Sequence, residues 1–193
     1  MKSKALEGAE LIVYLIKKVK ARYPEKQIGK TLVQKLMYLF EVKSKRDFDY
    51  TMYHYGPYSS KVENFLGIAK NLECIDISWH PGRGYFIEPK DDGRLNSLKI
   101  SKEDKNVLDD IIEKYGAFSA KELSIIATAV YAKENFAITD SEKLVDAVLS
   151  LKPENKREWI QNLLKPTMLV RRCNRAAQRK NPQGKQAEVN YGL

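Results

Sequence analysis

The chain has 193 residues, 43% apolar and 31% charged, a balance that belongs to folded globular proteins with a buried core and excludes a disordered chain. The net charge of +9 is unevenly spread. From Lys165 onward seven basic residues stand against one acid, Glu188, so this stretch carries +6 and the rest of the chain only +3, a thin footprint for a body that grips phosphates.

No apolar run approaches the ~20 residues needed to cross a bilayer. The opening MKSKALEGAE shows no secretory signal, and Cys74 and Cys173 sit far apart in unlike contexts. A reducing, cytoplasmic setting is therefore expected.

In chain order, Leu6, Ala9, Ile12, Val13, Ile16 and Val19 recur at helical spacing, and Pro24 stops that element. Thr31 then reads as the cap of a second helix, with Gln34 closing a capping box and Leu32, Val33, Leu36, Leu39 and Phe40 facing inward. Phe48, Tyr50, Met52 and His54 alternate with Asp49, Thr51 and Tyr53, which predicts a strand. Gly56-Pro57 reads as the turn after it, since proline presets φ and glycine tolerates almost any backbone angle. Ser60 and Glu63 have capping-box spacing at the head of a third helix, with Val62, Phe65, Leu66 and Ala69 inward.

Next, Ile75, Ile77 and Trp79 alternate with polar residues, HPGRG turns, and Tyr85-Phe86-Ile87 returns as the second arm of a hairpin. Beyond the loop at 90–93 the spacing predicts helices over 103–115, 120–134, 140–151 and 156–164. Ser119 with Glu122, and Thr139 with Glu142, repeat the capping-box spacing. The expected fold class is α+β and mostly helical. A module over 1–92 carries a small antiparallel sheet in a winged-helix-like arrangement, a helical module over 93–164 packs on it, and a basic tail over 165–193 has too few apolar residues to fold alone.

Reaction chemistry finds no foothold. Two histidines and two cysteines without a zinc spacing predict no metal, and no phosphate loop or dinucleotide fingerprint predicts no cofactor. Cys74 reads as a small core residue and His80 as an exposed turn residue. The serines fall at helix starts, where capping accounts for them, so no catalytic residue is assigned.

The densest feature is the aromatic cluster Tyr50, Tyr53, His54, Tyr55 and Tyr58. It fits sheet packing, a protein-binding edge, or a stacking platform for single strands, for which only Lys45, Arg46 and Lys61 are nearby cations. Arg83 at the tip of the second hairpin and Arg171, Arg172, Arg175, Arg179 and Lys180 in the tail would serve a nucleic-acid reader. Against such a reader, a predicted strand separates the second and third helices, where a helix-turn-helix would need a turn of ~3–4 residues.

The runs LVQKLMYLFEV, YHYGPYSSKVENFL and GYFIEP resemble the YwgA-like proteins and are similar to the SocA-like antitoxin group called Panacea, with its QKLLY-type helix and YGP segment. AKELSIIATAVYAKE and EKLVDAVLSLKPE resemble the second half of the YwgA-like chains, so the likeness covers most of residues 5–164. The resemblance implies an antitoxin-type protein that binds and neutralises a toxin, and supplies no catalytic residue. The matching positions Gln34, Lys35, Leu36, Tyr38, Tyr55, Gly56, Pro57 and Ser59, with the helix-opening Ser60, are read mainly as scaffold. The long helical extension departs from the shorter antitoxin domain.

Together these observations predict a cytoplasmic, non-enzymatic interaction module that presents Tyr53, Tyr55, Tyr58 and Lys61 to a protein partner such as a toxin. Its helical half completes the core or joins two copies. The alternative is a nucleic-acid-binding regulator using Arg83 and the tail.

Overall fold

A computed structural model describes residues 3–90 and 99–165. Helix α1 (Lys4–Arg22) leads into α2 (Lys30–Ser44), followed by a hairpin of β1 (Thr51–Tyr53) and β2 (Gly56–Tyr58). Helix α3 (Ser60–Asn71) precedes a second hairpin, β3 (Ile75–His80) and β4 (Gly84–Pro89). The elements of the remaining described residues are helices: α4 (Lys102–Tyr115), α5 (Ala120–Asn135), α6 (Ser141–Leu151) and α7 (157–165). The class is therefore α+β, mostly helical, with two small antiparallel sheets.

Helix α2 is the axis of the molecule. Every residue from Leu32 to Phe40 is buried, which is the pattern of a helix walled on all sides. Its walls are α1, α3, α4 and α5 together with strands β2 and β4. One apolar core runs from Ile12 and Ile16 in α1, through Leu36 and Phe40, to Ile126 in α5, Val148 in α6 and Ile160 in α7. Helices α1 and α3 cross closely because Gly8 leaves room for the Phe65 ring. A Cβ on Gly8 would stand 2.4 Å from that ring.

The hairpins fit the expected registers in one case and amend them in the other. In β3–β4, Ile77 faces Ile87 and Trp79 faces Tyr85, as the alternation predicts, and Ile87 N donates to Ile28 O (2.8 Å), tying the sheet to the head of α2. In the first hairpin the strand is shorter than its pattern, because Phe48 turns into the core and Asp49 takes a left-handed φ of 56°. Gly56-Pro57 is not the turn. Thr51 pairs with Tyr58 and Tyr53 with Gly56, so His54-Tyr55 make the bend and Gly56 begins the returning strand.

Three caps also differ from expectation. Helix α2 starts at Lys30 behind Gly29, with no side-chain cap, so Thr31 and Gln34 form no capping box. Ser59, not Ser60, caps α3 by accepting from Val62 N (3.1 Å), while Glu63 turns away to pair with Lys30. Asp140, not Thr139, caps α6. The Ser119–Glu122 box is present as predicted, and Cys74 lies buried.

Candidate functional site

The β1–β2 hairpin is too short to hold its own shape in water; isolated two-stranded hairpins are marginal even when longer. Buried side chains of other elements hold it. Lys35 of α2 donates to Pro57 O (2.8 Å), Ser124 of α5 to Tyr55 O (2.7 Å), and Lys152, just past α6, to His54 O (2.7 Å). The bend is thus fixed by donors drawn from three separate parts of the chain. Tyr50, at the entry to the hairpin, donates its hydroxyl to Gln34 O (2.7 Å).

Gln34 completes the clamp. Its Nε2 donates to Ser59 O (2.9 Å), and its Oε1 accepts from Ser59 N (3.1 Å), so its amide meets the Ser59 backbone as a neighbouring strand would. Ser59 Oγ donates to Phe48 O (2.5 Å) while accepting from Val62 N. Gly56 is sterically required: its φ is +90°, and a Cβ there would lie 2.8 Å from Thr128 Oγ1.

The two buried lysines set the electrostatics. Burial pushes the Lys35 ammonium down to about 8, and repulsion from Lys152 adds to the effect. Burial also lowers Lys152, with Glu154 opposing. Each ammonium still spends a proton on a backbone carbonyl, the charge-assisted kind of bond.

Beside the hairpin lies an open cleft of about 330 Å³ at the uncapped head of α2. Tyr53, Tyr55 and Tyr58 line it together with Lys30, Lys35 and Glu63. Tyr53 and Tyr55 are 68% and 66% exposed, whereas Tyr58 is half-buried with its ring 5.7 Å from that of Tyr53. Lys30 links α3 to the second hairpin, ion-paired to Glu63 and standing 4.4 Å from the centre of the Tyr85 ring.

The structure thus brings three of the four expected contact residues together. Lys61 does not line the cleft; it is exposed and ion-paired with Asp49 at 2.5 Å. Leu36 is fully buried, and Tyr38 packs edge-on to Tyr50 at 5.0 Å. Arg83 is exposed and lies 4.7 Å over the Phe86 ring. Arg171, Arg172, Arg175, Arg179 and Lys180 fall outside the described residues. Sequence reasoning missed Ser124, Thr128 and Lys152, which stand 69 or more residues from the bend they support and carry no local signal.

Ser59 is buried and its hydroxyl is engaged at both ends, while the His54 ring is exposed and packs edge-on to Tyr55. Among the described residues no group of three or more His, Cys, Asp or Glu could hold a metal, and no helix is long and apolar enough to cross a membrane.

The fold is thus a mostly helical α+β body in which a Gln-Lys pair clamps a tyrosine hairpin. Residues 33–129, half of the chain, match the family model described as antitoxin SocA-like, Panacea domain, and the chain belongs to that family. The match runs from α2 into α5, so it contains the Gln-Lys pair, the hairpin and Ser124. No curated protein matches the chain.

Proposed function

We propose that this chain is a non-enzymatic, antitoxin-type module that binds a toxin through the tip of the β1–β2 hairpin and the cleft beside it. The observation that carries the reading is that Tyr53 and Tyr55, both largely exposed, sit on a bend whose backbone is fixed by Lys35, Ser124 and Lys152. Exposed aromatic rings on a rigid support lose little freedom on binding, and such residues concentrate interface energy. Family membership supports an antitoxin-type role.

The test is growth rescue. A toxic protein encoded beside this chain is expressed with and without it, and the wild-type chain restores growth. Tyr53→Ala with Tyr55→Ala abolishes rescue while leaving the fold intact. Absence of rescue by the wild type rejects the antitoxin role. Undiminished rescue by the double variant rejects the site.

A further inference from the structure

We infer that the outer edge of β3 pairs with itself, joining two copies of the chain through one four-stranded antiparallel sheet. Two hydrogen bonds fix the parity of the β3–β4 ladder. Lys90 N donates to Cys74 O (3.0 Å), and these two residues face each other in the register, so the even-numbered residues of β3 are those bonded to β4. Ile87, opposite Ile77, sends its N–H the other way, to Ile28 O. The backbone N–H and C=O groups of Ile77 and Trp79 therefore point away from β4, along an edge that no other described strand joins.

Edges of this kind are usually guarded by lysine, proline or a bulge. Ile75–His80 contains none of these and a single charged residue, Asp76, and Trp79 near its end is 59% exposed. Such an edge invites another strand, and its side chains select a second copy of itself. A two-fold axis through Ser78 sets Ile77 of one copy opposite Trp79 of the other, in the positions that exchange both backbone bonds. The same axis sets Asp76 opposite His80, twice, in the positions where side chains approach most closely. His80 shares one ring nitrogen with Ser78 Oγ (3.2 Å), which leaves the other for the carboxylate. Shifting the axis to Ile77 would place Asp76 against Ser78 and lose both Asp76–His80 pairs. The pairing of a carboxylate with an imidazole thus picks one register and one occupant.

Sedimentation of the full chain at about 5–200 µM tests this, since a contact of this limited size predicts a dissociation constant on the order of tens of micromolar. Trp79→Pro removes an outward donor that β4 does not use, and leaves a monomer. Because proline can also disturb the hairpin, the charge variants carry the decision. Asp76→Lys removes the carboxylate acceptor and His80→Asp sets carboxylate against carboxylate, twice each, and each weakens the dimer about tenfold. The two substitutions in one chain restore the pairing to within about threefold of wild type. A full chain that stays monomeric throughout the range overturns the proposal, even where a strand of another protein takes the edge. So does a double variant as weak as either single one.

Discussion

Lys35 offers the sharpest test of the hairpin clamp. The residue is 2% exposed, and burial with repulsion from Lys152 brings its ammonium to about 8 from the ordinary 10.5. Between those values the unfolded chain holds a proton that the native chain has released. Unfolding free energy therefore rises with pH across that window, by about 3 kcal/mol in all. Below pH 8 the native protein carries the full cost of a buried charge. Lys35→Met keeps the length of the side chain and removes the nitrogen, leaving Pro57 O without this donor. That loss costs about 1–3 kcal/mol, so at pH 7 the two effects nearly cancel and the variant is about as stable as wild type. At pH 10 the wild type leads, because its neutral amine still donates to Pro57 O and no longer bears the charge penalty. Urea unfolding of both proteins at pH 7, 8, 9 and 10, followed by tryptophan fluorescence, measures the difference. Alkaline titrations other than that of Lys152, whose charge Lys35 repels, are common to both chains and drop out. A difference that stays constant with pH would refute the reasoning.

Gly56→Ala should destabilise the fold by about 2–4 kcal/mol in the same assay, combining left-handed strain with the contact against Thr128. Thr128→Ala in the same chain should recover only part of that loss, since the strain at φ +90° persists. Glu41, which accepts from Phe48 N at 2.5 Å, is raised to about 7 chiefly by burial, with Asp47 and Asp49 adding and the Phe48 bond and Lys61 opposing. Its native form holds a proton that the unfolded form loses, so its contribution is present below about pH 4.5 and is lost as pH rises to about 7. Glu41→Gln should flatten the stability profile across that interval, and an unchanged slope would count against it. Gln34→Leu should cost about 1–3 kcal/mol, because Ser59 N loses its partner in a buried site while Ser59 O keeps only the bond from Glu63 N.

The helices were legible because their apolar residues repeat at 3.6, and the β3–β4 hairpin because Ile75, Ile77 and Trp79 repeat at two. Capping was less legible. Gln34 stands three residues after Thr31, the spacing of a capping box, yet its amide is drawn across the core to Ser59. Spacing alone does not distinguish a local bond from a tertiary one. Gly56-Pro57 reads as a turn because both residues favour turns, but Gly56 is required where β2 passes Thr128. The bend itself falls on His54-Tyr55, whose carbonyls are held by Lys152 and Ser124 from 98 and 69 residues away. The aromatic part of the candidate site was thus visible in the sequence, and its support was not. Lys30 and Tyr85 likewise meet only when β4 docks beside the head of α2.

The most direct measurement of the central claim is site-specific photocrosslinking in the native host, with a photoreactive phenylalanine analogue placed at Tyr53, at Tyr55 and, as a control, at exposed Phe136 on the far end of α5. The account predicts that positions 53 and 55 capture the toxin whose effect the chain suppresses, and that position 136 does not. Capture of that toxin from position 136 alone, with neutralisation intact, would contradict it.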